Sequence, residues 1–322
     1  MKKTILVSAP YMLPVVERFR PILESFGLEV LLPEVHERME AEDLLVYAGQ
    51  FDGAICGDDR YTAEVLTACA PRLKVISKWG TGIDSIDQNA AAKLNIQVCR
   101  TPNAFTLPVA DSVLGYILAF ARRQPWMDAQ MKAGIWEKLP GRSLSECTLG
   151  VIGVGNIGKA VLHRAQVFGM RLLGNDIIKI DPDFIAGSGV EMVILENLLA
   201  QSDFVSVNCD LNPTSRHLIN PRTLAYMQPS AILINTARGP IIDEAALIAA
   251  LQAGEIGGAA LDVFEVEPLP PSSPLTGMKN VLLAAHNANS SPAASERVHW
   301  NTIRNLLEGL GYDAASLAEA EL

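Results

Sequence analysis

At 322 residues, 49% hydrophobic and 19% charged, the chain has a globular composition and exceeds one ordinary domain of about 100 to 200 residues, so two domains are expected. A formal net charge of −10 at pH 7 and a pI near 5.0, with no clustered Lys and Arg, exclude a general nucleic-acid binder. No apolar run reaches the ~18 to 20 residues of a membrane span, and cysteines 56, 69, 99, 147 and 209 form no CxxC pair and suit a reducing compartment, so a cytoplasmic protein without membrane partners is expected.

Met1-Lys2-Lys3 ahead of an apolar run imitates a signal peptide, but Pro10 interrupts it and Glu17, Arg18 and Arg20 follow too soon. Thr4–Ser8 therefore reads as a first strand. From residue 4 to 100, β-rich runs (TILVS, LEVLL, DGAIC, LKVIS, IQVCR) alternate with helix-like stretches at 14–26, 62–69 and 85–94, which predicts a parallel sheet. Thr101-Pro102-Asn103 breaks the alternation, and 107–123 predicts a long, largely apolar helix at a domain boundary.

A second α/β series starts at Thr148. Strands are expected at 148–152, 171–175, 203–208, 231–236, 258–263 and 280–285, with helices at 156–168, 221–227 and 243–253. The prolines at 268, 270, 271 and 274 predict a loop, and 295–310 a closing helix. If that helix returns to the first domain, the first domain is discontinuous. No internal repeat is visible.

Gly153-Val154-Gly155-Asn156-Ile157-Gly158 is a GxGxxG that directly follows an apolar strand and opens a helix, the context in which backbone N–H groups approach a pyrophosphate. The next strand ends in Asp176, eighteen positions past Gly158, near the offset of a carboxylate that binds ribose hydroxyls. Ile177 and Ile178 follow it with no adjacent arginine to neutralise a 2′-phosphate, which favours NAD over NADP.

Ligands of doubly wound sheets sit beyond the carboxyl ends of the strands. Arg238, Glu267 and His286 follow three such ends. A guanidinium holds a carboxylate through a planar fork, an imidazole titrates near neutrality, and a carboxylate beside it orients it and favours its protonated form. Together they describe a carbonyl reductase; singly, each has an ordinary reading as a loop or strand-end residue.

With these residues in view, the chain resembles the D-isomer-specific 2-hydroxyacid dehydrogenase family, most closely its phosphoglycerate dehydrogenase branch. The segments that carry the resemblance are KWGTGID (78–84), NAFTLPVAD (103–111), GVIGVGNIGK (150–159), NTARGPIID (235–243), ALDVFEVEP (260–268) and AAHNA (284–288). It implies two doubly wound parallel-sheet α/β domains: a Rossmann NAD-binding domain, 101–289, inserted in a discontinuous flavodoxin-like substrate domain, 1–100 and 290–322. It also implies a homodimer. Two lobes joined near 100 and 290 form a natural hinge, so domain closure is expected.

The resemblance further implies roles. His286 is the acid and base at the carbonyl oxygen, Glu267 its partner, and Arg238 the residue that holds the substrate carboxylate and polarises the 2-oxo group. Lys78, Trp79 and Gly80 fall at substrate positions. Thr81, Asn156, Ile157, Asp176, Cys209, Thr236, Ala237, Asp262 and Asn287 fall at cofactor positions, beside Gly153, Gly155 and Gly158. The implied reaction is NAD-dependent hydride transfer at C2 of a small D-2-hydroxy or 2-oxo acid.

Phosphoglycerate leads among substrates, with Lys78 at a phosphate position, but Cys56-Gly57-Asp58-Asp59-Arg60 departs from the arginine expected there, and two acids oppose a phosphate dianion unless Arg60 reaches inward. Reduction of hydroxypyruvate or glyoxylate, which needs no phosphate site, is the alternative. An NAD-sensing corepressor is a third reading, disfavoured by the absence of basic tracts and long disordered tails. Glu267 argues against formate oxidation. The chain ends soon after its closing helix, so no C-terminal regulatory domain is expected. His36, His163, His217 and His299 show no metal-ligand spacing, and no metal is expected.

Overall fold

The computed structural model describes residues 2–314 and Leu317, and the chain divides into two α/β units, 1–105 with 291–322, and 106–290. Met1, residues 315–316 and residues 318–322, which the sequence assigns to the substrate domain, lie outside the described residues.

In the first unit the order is β1 (Lys3–Val7), α1 (Val16–Ser25), β2 (Leu28–Leu31), α2 (Ala41–Val46), β3 (Gly53–Cys56), α3 (Ala63–Cys69), β4 (Val75–Lys78), α4 (Gln88–Lys93) and β5 (Gln97–Cys99). The sheet runs β2-β1-β3-β4-β5 with every pairing parallel, the flavodoxin-like order. β3 and β4 are buried throughout, as strands covered on both faces must be. The expected helix at 14–26 starts instead as a 3-10 turn, Leu13–Val15, with proline in its first turn. Helix α2 was not legible because only Leu44 of it is buried; a reciprocal Glu40–Asp43 capping box, rather than apolar periodicity, starts it.

The closing helix, Pro292–Gly309, belongs to this unit, capped by the Ser291 hydroxyl accepting from the Ala294 N–H. Its buried face carries Val298, Thr302, Ile303, Leu306 and Leu307. A Cβ on Gly309 would overlap the Val75 side chain, so the helix end lies directly against β4, and the Ser77 hydroxyl donates to the Thr302 carbonyl at 2.7 Å. Contacts of this kind make the unit discontinuous in sequence.

The second unit begins with α5 (Thr106–Arg122) and α6 (Gln124–Lys132). It continues with β6 (Thr148–Ile152), α7 (Asn156–Val167), β7 (Arg171–Asn175), α8 (Pro182–Ser188), β8 (Glu191–Met192), α9 (Leu195–Gln201), β9 (Phe204–Val207), α10 (Pro221–Leu224), β10 (Ile232–Asn235), α11 (Glu244–Ala253), β11 (Gly258–Leu261) and β12 (Val281–Leu283). The seven-stranded parallel sheet runs β12-β11-β10-β9-β6-β7-β8, the Rossmann order, which reverses between β6 and β9. One face is covered by α5 and α7 through Val113, Ile117, Val161 and Leu162, the other by α9, α10 and α11 through Leu198, Leu224, Leu247 and Leu251. Arg123, at φ +55°, separates α5, which matches the helix expected at 107–123, from α6, which the sequence did not predict. The short elements α8, β8 and α9 were also missed, since none is long enough to show a period.

Candidate active site

The glycine loop leaves β6 at Ile152. Gly153 has φ +88°, and a Cβ there would come within 2.7 Å of the Cys209 backbone, so only glycine turns the chain here. A Cβ on Gly158 would overlap the Gly153 carbonyl oxygen, which fixes the close seat of α7 on the loop. Gly155 is the opposite case: nothing lies within 4 Å of where its Cβ would stand. It caps α7 without a side-chain bond, and the first turn of α7 presents backbone amides of the kind that bind an anion.

Asp176 follows β7. One of its oxygens accepts the Val154 N–H at 2.7 Å and the other the Ile178 N–H at 3.0 Å, which ties the acid to the loop. Beside it, Ile177 is 81% exposed and Ile178 64%, apolar surface suited to an aromatic base. Two buried polar atoms after the next strand ends, Asn208 Oδ1 beyond β9 and Thr236 Oγ1 beyond β10, have no hydrogen-bond partner among the described residues. Such atoms cost about 1 to 3 kcal/mol each unless a ligand or water meets them. Ala237 N–H is taken by Asn235 Oδ1 at 3.0 Å, and burial pushes the Cys209 thiol up to about 11, so it is uncharged. The open glycine amides, the carboxylate after β7 and the unpartnered polar atoms fit a dinucleotide.

His286 stands beyond β12 in the left-handed region, at φ +47°, uncommon for any residue but glycine. Asp262 holds it there. The Asp262 carbonyl accepts the His286 N–H at 2.8 Å, and the buried Asp262 carboxylate accepts the N–H groups of Asn287 at 2.8 Å and Ala288 at 2.9 Å. The sequence resemblance placed Asp262 and Asn287 at the cofactor; the interactions seen here are with the backbone that presents His286.

His286 Nδ1 lies 3.0 Å from Glu267 Oε2, while Glu267 Oε1 accepts the Phe264 N–H at 2.9 Å. A carboxylate at Nδ1 calls for a proton on that nitrogen. Arg238 follows β10. Its Nη1 donates to the Ala237 carbonyl at 2.8 Å, and its own carbonyl accepts from Asn235 Nδ2 at 2.9 Å. A Cβ on Gly239 would overlap the Phe264 carbonyl, so the Arg238 segment and the loop bearing Glu267 pack backbone against backbone. Arg238, Glu267 and His286 thus follow three adjacent parallel strands, β10, β11 and β12.

Lys78, Trp79, Gly80 and Thr81 belong to the first unit. Lys78 is not a solvated loop lysine: it ends β4, its side chain is 6% exposed, and its Nζ lies 3.0 Å from Asp58 Oδ1. Asp59 is buried and builds the loop itself, accepting the N–H groups of Met39 at 2.7 Å and Gly57 at 3.2 Å and the Ser8 hydroxyl. Burial still pushes its carboxyl above the ordinary range against those donors. Trp79 Nε1 donates to His299 Nδ1 at 3.0 Å, and the indole stacks on Tyr11 at 4.7 Å. Gly80 has φ +127°, and the Thr81 hydroxyl donates to the Thr101 carbonyl at 2.9 Å.

Four residues near these groups were missed. Asn208 was findable by the strand-end rule. Glu244, Glu265 and His217 were not, because their meeting depends on how the loop after β11 folds back: His217 Nε2 lies 2.6 Å from Glu265 Oε1, and the Glu265 N–H donates to Glu244 Oε2. Among the described residues, no group of three or more His, Cys, Asp or Glu is placed to hold a metal ion, and no helix is long and apolar enough to cross a membrane.

Comparison with known proteins agrees with this geometry. The sequence profile of the "D-isomer specific 2-hydroxyacid dehydrogenase, NAD binding domain" matches residues 114–288. The glyoxylate reductase of Korarchaeum cryptofilum is 41% identical over 255 residues, 77% of this chain and 76% of its own. The D-3-phosphoglycerate dehydrogenase of Homo sapiens is 38% identical over 281 residues, 86% of this chain but only 52% of that relative, so the chain spans about half its length. Among solved structures, the D-lactate dehydrogenase of Aquifex aeolicus complexed with NAD and lactic acid superimposes with a TM-score of 0.84 at 26% identity, covering 96% of this chain and 97% of the other. The molecule is an NAD-dependent enzyme, and it belongs to the D-isomer-specific 2-hydroxyacid dehydrogenase family.

Proposed function

We propose that the enzyme reduces a short 2-oxo acid without a phosphate group, glyoxylate or hydroxypyruvate, to the corresponding 2-hydroxy acid, glycolate or D-glycerate. The carrying observation is the Lys78–Asp58 ion pair: the cation expected to meet a substrate phosphate is buried and already neutralised by a carboxylate 3.0 Å away. A phosphate dianion brought to Lys78 would meet the Asp58 charge as well. The 41% identity to a glyoxylate reductase supports the same substrate class. This reverses the order that the sequence suggested, in which 3-phosphoglycerate and 3-phosphohydroxypyruvate came first.

When bound, the nicotinamide supplies or accepts the hydride; its phosphates are assigned to the amides of Gly155, Asn156, Ile157 and Gly158, and its ribose to Asp176. Thr81, Cys209, Thr236, Ala237, Asp262 and Asn287 complete the cofactor assignment, and Lys78, Trp79 and Gly80 are assigned to substrate. In reduction His286 Nε2 gives its proton to the carbonyl oxygen, and in oxidation it takes the hydroxyl proton. Glu267 holds the ring by Nδ1 and favours its charged form. Arg238 holds the substrate carboxylate by its fork and stabilises negative charge on the reacting oxygen.

Two copies are proposed to associate through the stretch after α6, where Ile135 is 48% and Trp136 82% exposed, an adjacent pair of large apolar side chains left in contact with water.

The test follows NADH absorbance with glyoxylate, hydroxypyruvate, 3-phosphohydroxypyruvate, pyruvate and 2-oxoglutarate, with NADPH as the cofactor control. Glyoxylate or hydroxypyruvate should give the highest kcat/KM, and Asp58→Asn should raise relative activity on 3-phosphohydroxypyruvate by about tenfold by removing one opposing charge. Preference of the unaltered enzyme for the phosphorylated acid rejects the proposal.

A further inference from the structure

Glu244 opens α11 one residue past the Asp243 cap, a place where a glutamate ordinarily extends into water. Here the side chain is half-buried and turns back, its Oε2 accepting the Glu265 N–H at 3.1 Å. Burial first, and then the carboxylates of Glu265 and Glu267, push its carboxyl above the ordinary range, against the pull of the Glu265 N–H.

The peptide between Phe264 and Glu265 is therefore held on both sides: the Glu244 carboxylate takes the Glu265 N–H, and the Gly239 backbone abuts the Phe264 carbonyl. Glu267 Oε1 takes the N–H of the preceding peptide, that of Phe264. The other oxygen of Glu267 meets His286 Nδ1. A chain of contacts thus runs from the first turn of α11 to the imidazole. The charged and titratable groups along it are the acids Glu244, Glu265 and Glu267, the imidazoles of His286 and of His217, 2.6 Å from Glu265, and Arg238 beside Gly239.

We infer that Glu244 is a positioning residue for the His286–Glu267 pair, acting through the Phe264–Glu265 peptide that it grips and through the negative charge that it adds beside Glu267. The inference rests on the reading of His286 as acid and base. Without the grip, the loop that carries Glu267 loses its tie to α11, and the imidazole loses the fixed carboxylate that orients it. Without the charge, the protonated imidazole is less favoured, so reduction, which uses that form, fails at a lower pH.

Glu244→Gln and Glu244→Ala in the full chain separate the two effects, because glutamine keeps an acceptor for the Glu265 N–H and loses only the charge. For Glu244→Gln the alkaline limb of the kcat/KM profile for reduction should move down by about half a pH unit, with plateau kcat within about twofold of the parent. For Glu244→Ala the plateau kcat should fall by about tenfold, with NADH affinity unchanged. The His286 ring resonance, titrated by NMR without substrate, should shift with the Glu244→Gln profile. Failure of the acid–base reading shows itself separately: the imidazole titration moves in Glu244→Gln but the rate profile does not, and His286→Ala still turns over. An unmoved imidazole titration in Glu244→Gln, or unchanged kcat in Glu244→Ala, overturns the inference itself.

Discussion

At the scale of single residues, the proposed acid–base pair depends on backbone placed by other side chains. His286 accepts a left-handed conformation because the Asp262 carboxylate and carbonyl collect the amides of residues 286 to 288. Its replacement tests the assignment directly: His286→Ala should lower the rate of NADH oxidation by about 10² to 10⁴ while NADH binding, followed by fluorescence titration, stays close to that of the parent. Turnover at the parent rate would remove His286 from the reaction. Gly239 gives a second test at a position without reactive groups. Because a Cβ there would overlap the Phe264 carbonyl, Gly239→Ala should displace the Glu267 loop and cut kcat by about tenfold or more. The circular dichroism spectrum should be retained, and a fully active variant would show that the loop does not need this contact.

Among the elements, the closing helix has the widest consequences within its unit. It covers β3 and β4, and His299 on it accepts the Trp79 indole proton at 3.0 Å. Burial lowers the His299 pKa from its ordinary 6.5, and the direction sets the sign. The unfolded chain takes the proton near pH 6.5 and the folded chain only at lower pH, so the native state keeps its full stability above that value and loses it as pH falls through the window below. Each unit of separation is worth about 1.4 kcal/mol. The urea midpoint should therefore drop on acidification from pH 7 to pH 5.5, and His299→Gln, which keeps an acceptor and cannot be charged this way, should flatten that part of the curve. An equal drop in His299→Gln would place the acid sensitivity elsewhere. Leu306, fully buried on the same helix, should cost about 2 to 5 kcal/mol as Leu306→Ala in equilibrium unfolding, and a loss well below that range would mean that the site collapses to fill the gap.

For the whole molecule, the proposed association through Ile135 and Trp136 predicts a dimer by sedimentation equilibrium that Ile135→Glu with Trp136→Glu converts to monomer; a monomeric parent protein would end that proposal. Much of the larger plan was legible in the sequence. Short strands read as apolar runs because parallel sheets bury both faces, and Gly153, Gly155, Gly158, Asp176, Arg238, Glu267 and His286 stood at strand ends where the fold class expects ligands. Short elements such as α2, α8 and α9 were not legible, because fewer than two full turns with one or two buried side chains leave no period to detect. By itself the sequence determined what local rules encode: which segments form strands and helices, where the phosphate loop turns, and which charged residues follow the sheet. Only the tertiary structure decided which of those charges meet: that Asp58 neutralises Lys78, that Asp59 belongs to its own loop, and that Glu244 reaches Glu265. Such pairings depend on distances across folded loops, and sequence spacing carries no record of them.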